Sequence, residues 1–310
     1  RGDGIRLLNI ADPLRFTGLE VRDIGGVGLR VEGPGLTRVS GAVFVNNAGG
    51  GLVRQGGFIE LLQSHFESNG LGAEDRANLL LGRQVFGLVE GNSFSGGSIG
   101  VRCVETKEVV IANNTFRAHQ VGLLTRSARA RIFSNQFNDN DLALRVEGVA
   151  VPTRLDLNVI QGDQQLLIND SEREVMATNN WWGRDDEAWI AARISGAVEW
   201  RPFLNFDPRV PLDFALRQNY PNPFNASTTI EYQIGINDPI IAGHTGVVLE
   251  IRSMVGLLVR RLVDQPASPG FYSVVWDGRN DAGDSAASGV YYYQLDIGPI
   301  AQYRKLLFLK

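Results

Sequence analysis

The side chains best suited to bond-breaking chemistry are three carboxylates and an arginine: Asp139 and Asp141 on one predicted turn, Asp163 on the next, and Arg126 nearby. Clustered carboxylates with a basic neighbour can exchange a proton with a substrate or hold a calcium ion. Such a set suits cleavage of a bond by acid–base chemistry. The run Asn138-Asp139-Asn140-Asp141 has a second explanation, because Asn and Asp favour sharp bends whether or not they catalyse anything. Other chemistries are poorly supplied. His65, His119 and His244 share no ligand spacing and the lone Cys103 adds no ligand pair, so no metal site is assigned. Gly96-Gly97-Ser98-Ile99-Gly100 fits a nucleophile elbow only loosely. The acidic loop 277–284 leaves calcium open, and a hairpin turn explains it as well.

What must position these residues is a repeat. Asn92, Asn114, Asn135, Asn158 and Asn179 each stand two residues before a large apolar residue, namely Phe94, Phe116, Phe137, Ile160 and Trp181, at spacings of 22, 21, 23 and 21. Upstream the register continues through Phe66, Phe44 and Val21, giving eight units, with Ser64 in the asparagine column. The one long step, from Phe66 to Phe94, fits an outward loop over residues 72–77. A fixed period of this length marks a solenoid whose units bury their apolar side by stacking on their neighbours. The amides of the column are expected to satisfy one another from coil to coil. Each unit holds two or three short strands. Period-two alternation points Leu29 and Val31, Val101 and Cys103, and Leu144 and Val146 inward. Arg30, Arg102 and Arg145 are then left outside as candidate binding positions, and Cys103 reads as a small core hydrophobe.

Thirty-six glycines and many short apolar runs describe a turn-rich β protein, and a formal charge of -4 without blocks of like charge gives no footprint for nucleic acid. One cysteine leaves the redox compartment undecided, and no apolar run approaches the ~18 residues of a membrane span. The start, Arg1-Gly2-Asp3-Gly4-Ile5, has neither an initiator Met nor the form of a signal peptide, which suggests a C-terminal piece of something longer.

The repeat, with its Asn114-Thr115-Phe116 and Asn135-Gln136-Phe137 pattern, resembles the right-handed parallel β-helix repeats of NosD-like and pectate-lyase-like proteins over about residues 5–205. That resemblance implies a fold and no particular activity. After Asn179-Asn180-Trp181-Trp182-Gly183, acidic residues precede a run of helix formers over 185–194, expected to cover the last coil. The tryptophan pair reads either as part of this cap or, through Trp182, as a sugar-stacking platform.

Beyond the proline-bearing segment 207–214 the pattern changes to alternating strands at 229–234, 247–253, 272–276, 289–295 and 304–309, spaced as in an immunoglobulin-like sandwich. Leu216-Arg217-Gln218-Asn219-Tyr220-Pro221-Asn222-Pro223-Phe224-Asn225, Val274-Val275-Trp276-Asp277-Gly278, Ala287-Ser288-Gly289-Val290-Tyr291-Tyr292-Tyr293 and the terminal Lys305-Leu306-Leu307-Phe308-Leu309-Lys310 resemble the type A C-terminal sorting domain of the type IX secretion system. The flagellar hook-capping Ig-like domain is related to it. Ala226, where a proline is usual, is a departure from the pattern. The resemblance implies folding in the periplasm, recognition of this module by the type IX secretion machinery, passage through the outer membrane, and release to the medium or attachment to the outer cell surface.

The expectation is therefore an all-β chain: a right-handed parallel β-helix of about eight coils with its cap over 1–206, a linker over 207–214, and an Ig-like sandwich over 215–310. Functionally it is a secreted or surface β-helix protein, structural or glycan-binding, without cofactor. The rival is a polysaccharide lyase or glycoside hydrolase, and a third reading makes the chain an appendage of a larger enzyme.

Overall fold

The computed structural model describes residues 2–71, 76–149, 153–209, 213–235, 246–298 and 300–310. Most of the expected loop at 72–77, His244, and Val210 and Pro211 of the linker lie outside them. The chain divides into two compact units, Arg1–Asp207 and Pro208–Lys310.

In the first unit the period becomes three parallel sheets. Among the described residues, sheet A has nine strands, including Val27–Glu32, Ile99–Val104, Val121–Arg126 and Leu142–Glu147. Sheet B also has nine, including Glu108–Ala112 and Ala130–Phe133, and sheet C has seven, including Thr115–Arg117 and Gln136–Asn138. Every strand pairs with its equivalent one coil away, for example Phe94 with Phe116 and Phe116 with Phe137. Inside the coils, Phe44, Phe66, Phe94, Phe116 and Phe137 form a stack with centroid separations of 4.7–5.2 Å. Offset stacking of this kind adds to the burial of each ring. Glycines facing the stack make room for it: a Cβ on Gly51 would lie 2.8 Å from Cδ1 of Phe66.

Sheets B and C meet at a two-residue turn, and this turn carries the asparagines. Its first residue is left-handed (Asn113, Ser134, Leu157 and Asn179, φ 54–57°). The second is the ladder residue. Asn92 Nδ2 donates to Asn114 Oδ1 at 2.9 Å, Asn114 to Asn135 and Asn135 to Asn158 at 3.0 Å, and Asn158 to Asn180 at 2.9 Å. Each of these Oδ1 atoms also accepts the preceding ladder residue's backbone N–H. The last rung is thus Asn180, where the spacing had pointed to Asn179. In an Asn-Asn pair the first residue takes the left-handed position that Asn tolerates, and the second turns inward. The interior anchor shifts by the same one residue, to the fully buried Trp182, with Trp181 half-buried.

The end of the solenoid is closed as its composition suggested. Asp186 caps the short helix Glu187–Ala191 by accepting from the Trp189 N–H at 3.0 Å. Ile190, Trp182 and Trp200 belong to the same apolar core as the phenylalanine stack. Strands Ile194–Ser195 and Val198–Glu199 add the last rungs to sheets A and B.

The second unit pairs a three-stranded antiparallel sheet (Ala215–Leu216, Thr228–Ile234, Gly270–Trp276) with a four-stranded one (Leu258–Pro266, Gly246–Ser253, Gly289–Ile297, Ile300–Phe308). Both contribute to a core around Trp276, Tyr293, Leu249, Ile251, Phe224 and Phe308. The Tyr293 hydroxyl donates to Arg217 O at 2.7 Å and accepts from Asn219 N at 2.9 Å. Asn219 Nδ2 donates in turn to Thr228 Oγ1 at 2.8 Å. The Gln218-Asn219-Tyr220 segment is thereby fixed to the sheet edge by satisfied buried polar groups.

Candidate arginine-lined groove on sheet A

The outer face of sheet A is read from its register. Arg102 pairs with Leu124 and Leu124 with Arg145, so the two arginines lie two coils, about 10 Å, apart in one row with an apolar side chain between them. Arg126 pairs with Glu147 in the next outward row. Ile99, Leu124 and Ala77 form a small buried apolar cluster of their own, with Val121 packed against it, separate from the interior core. Together these side chains line a groove of about 460 Å³, with Ile99, Val121 and Leu124 as floor and Arg102, Arg126, Arg145, Gln120 and Glu147 around it.

The electrostatics of the groove are mainly cationic. Glu147 is the one carboxylate among the lining residues; it accepts from Arg126 Nε at 2.9 Å and lies 3.9 Å from Arg145 Nε. Arg145 Nη2 also reaches Asp170 at 2.8 Å. These pairs are partly exposed and hold the guanidinium planes in place more than they stabilise the fold. Three guanidiniums around an apolar strip offer forked donors for carboxylate or sulfate groups and a surface for the face of a sugar ring.

Other residues singled out by the sequence are placed elsewhere. Arg30 lies on the same outer row but three coils from Arg102, donating to Asp3 Oδ2 at 2.7 Å. Trp182 is sealed inside the last coil at 0% exposure, so it has no face to offer a sugar, and the stacking platform is replaced by a core anchor. Cys103 is buried in the core, which pushes its thiol up to about 12. The three aspartates divide by burial. Asp139 and Asp141 are exposed at the turn from sheet C to sheet A, where Asp139 lies 3.8 Å from Arg117 and Asp141 accepts from Gln164 at 3.0 Å. Asp163 is buried.

Asp163 belongs to a second polar ladder, which the sequence reading missed. At this turn Asn47 Nδ2 donates to Asn69 Oδ1 (2.8 Å), and Asn69 Nδ2 to Asn78 Oδ1 (2.9 Å). Asn78 Nδ2 then reaches His119 Nε2 (3.0 Å), while His119 Nδ1 meets Asn140 Oδ1 (3.1 Å) and Asn140 Nδ2 donates to Asp163 Oδ1 (2.8 Å). An amide donor on Nε2 and an amide oxygen on Nδ1 select a neutral imidazole protonated at Nδ1. Burial lowers His119 to about 4 and raises Asp163 to about 7. Asp163 Oδ2 is enclosed without a partner. The signal lay in the sequence: His119, Asn140 and Asp163 each follow a residue of the first ladder by five. A third buried polar group, Arg54, points into the coil and donates to the carbonyls of Gly33 (3.0 Å) and Gly35 (2.6 Å).

Among the described residues no group of three or more His, Cys, Asp or Glu side chains is arranged to hold a metal ion. Nor is any helix among them long and apolar enough to cross a membrane.

Comparison with known families agrees with this geometry. The family described as the right handed beta helix region matches residues 3–180. The chain belongs to that family. A second family, the FlgD Ig-like domain, matches residues 240–296. No curated protein matches the chain significantly. Among solved structures, dimeric latent PorU from Porphyromonas gingivalis is similar at 22% identity over 34% of this β-helix chain and 10% of its own length, with a TM-score of 0.26. PorZ of the same organism, described as an essential bacterial surface component of the type-IX secretion system, aligns at 19% identity over 31% and 11%, with a TM-score of 0.21. The sensor domain of the anti-sigma factor RsgI4 from Pseudobacteroides cellulosolvens aligns at 11% identity over 32% and 77%, with a TM-score of 0.22. The chain thus spans about a tenth of the length of PorU and of PorZ.

Proposed function

We propose that this is a secreted or cell-surface β-helix protein that binds an acidic glycan along the groove on sheet A, and that its C-terminal Ig-like unit serves as the export signal for type IX secretion. The observation that carries the binding role is the convergence of Arg102, Arg126 and Arg145 on the apolar floor of Ile99, Val121 and Leu124, with Glu147 as the sole carboxylate of the lining. A hydrolase or lyase working in this groove needs a second group for proton transfer or nucleophilic attack. Asp139, Asp141 and Asp163 are not among its lining residues. The export role is supported by the sequence motifs at 216–225, 274–278 and 287–293 and by the Ig-like family match.

Binding is tested by titrating polygalacturonate, a sulfated glycan and neutral dextran against the parent chain and the Arg102→Gln/Arg145→Gln double variant. The expected result is binding of the acidic chains, weakening with salt and falling about tenfold or more in the double variant. Equal affinity for dextran, or an unchanged double variant, rejects the groove as the site. Release of unsaturated uronates or new reducing ends would transfer the assignment to the enzymatic reading.

A further inference from the structure

The C-terminal end of the β-helix carries a second concavity, of about 630 Å³, lined by Gly162, Asp163, Gln164, Gly183, Arg184, Trp189 and Arg193. None of these residues lines the groove on sheet A. Two arginines meet over one ring here: the Arg193 guanidinium carbon lies 4.2 Å from the Trp189 centroid and that of Arg184 4.9 Å. Among the described residues neither arginine makes an ion pair, although nine other arginines of this unit are matched with a carboxylate. Arg193 spends one N–H on Trp189 O at 3.3 Å. A guanidinium held against an aromatic ring keeps its in-plane N–H edge open, and that edge matches the two oxygens of a carboxylate or sulfate.

The rest of the wall is complementary to such a ligand. Asp163 is its only acidic member, and that carboxyl is enclosed and turned to Asn140, so it does not act as a counter-ion in the cavity. Gln164 commits its Nε2 to Asp141, which leaves Oε1 as an acceptor for a hydroxyl. Gly162 and Gly183 of the wall have left-handed φ of 76° and 83°, and a Cβ on Gly162 would fall 2.3 Å from Asp139 Oδ1.

We infer that this concavity is a second ligand site, in which Arg184 and Arg193 hold the oxyanion of a small hydroxylated acid, a uronate or a sulfated sugar, and Gln164 accepts from one of its hydroxyls. The inference does not depend on the groove. The two anions share the chemistry, and the ligand series separates them.

The test is calorimetric titration of the full chain at low salt with glucuronate, glucose 6-sulfate, inorganic sulfate and glucose. One or both acidic sugars bind at least about tenfold more tightly than glucose and than sulfate ion. Arg184→Gln/Arg193→Gln removes that preference, and Arg102→Gln/Arg145→Gln leaves it intact. Should the cap variant unfold, the indole N–H resonance of Trp189, assigned by its loss in Trp189→Phe, gives the answer in the parent chain: it shifts saturably with the acidic sugar and not with glucose. Binding of glucose equal to that of both acidic sugars, an undiminished preference in the folded cap variant, or a Trp189 resonance indifferent to the acids overturns the site. Loss of polysaccharide binding in the groove variant with small-acid binding retained separates this site from the groove.

Discussion

Asp163 and His119 sit on one buried ladder, joined through Asn140, with opposite proton preferences. The Asp163 carboxyl titrates near 7 in the folded chain against ~3.9 ordinarily. The native state therefore holds this proton more tightly, and the stability it lends is full below about pH 4 and lost as pH rises through 7, a change of about 4 kcal/mol. His119, near 4 against ~6.5 ordinarily, does the reverse: its contribution is full above about pH 6.5 and about 3 kcal/mol is lost as pH falls through 4. In the parent the two slopes nearly cancel. Asp163→Asn removes one of them, so this variant should be more stable than the parent at pH 8 and should lose stability on acidification from pH 7 to 4. Urea melts at each pH measure both, and a variant less stable than the parent at pH 8 refutes the account. Arg54 gives a simpler case. Arg54→Leu deprives the Gly33 and Gly35 carbonyls of their donors and should cost about 3 kcal/mol in the same melts. These roles were hard to read in the sequence for a physical reason. A column of identical asparagines announces itself, whereas Asn47, Asn69, Asn78, His119, Asn140 and Asp163 differ in type and skip the coil where Gly97, five residues after Asn92, has no side chain to join with. Arg54 defeats the alternation rule because it faces inward where Val31 and Leu81 are its neighbours in register.

At the scale of elements, the period of the apolar anchors carried nearly all the information about the solenoid. Parallel coils must repeat their interior residue at one position, and Phe66, Phe94, Phe116 and Phe137 do so. The turn between sheets B and C leaves little trace in the sequence, because only two residues separate Ala112 from Thr115. The Leu258–Pro266 strand went unseen: its half-buried residues come in pairs, without strict alternation, and its pairing is interrupted by register shifts at Leu249/Glu250 and Ile251/Arg252. The sheet A groove was half legible, since the outward arginines were identified and the coils that bring Arg102, Arg126 and Arg145 together were not. The ladder as an element makes its own prediction. Asn114→Ala and Asn135→Ala should each cost about 2–4 kcal/mol, because each strands buried donors on the neighbouring coil, and the double variant should cost less than their sum. Strict additivity in chemical melts counts against a cooperative ladder.

For the whole molecule, the two units have separate cores. The phenylalanine stack ends under its own cap of Ile190, Trp182 and Trp200, and the Ig-like core closes around Trp276 and Tyr293. With its last coil closed by its own cap and its core separate from that of the second unit, the solenoid is expected to fold without the Ig-like unit. Removing residues 215–310 should therefore leave a chain with the far-ultraviolet spectrum of parallel β-structure and a single cooperative melt. On the proposed export role the same truncation should accumulate in the periplasm of a producing cell, while the full chain reaches the medium or the outer surface. The two measurements separate two ideas. A truncated chain that is folded and still exported contradicts the sorting role and leaves the solenoid's independence intact. A truncated chain that fails to fold shows instead that the Ig-like unit stabilises the helix, and then grafting residues 215–310 onto an unrelated periplasmic protein decides the sorting question: surface delivery of the graft supports it, and retention rejects it.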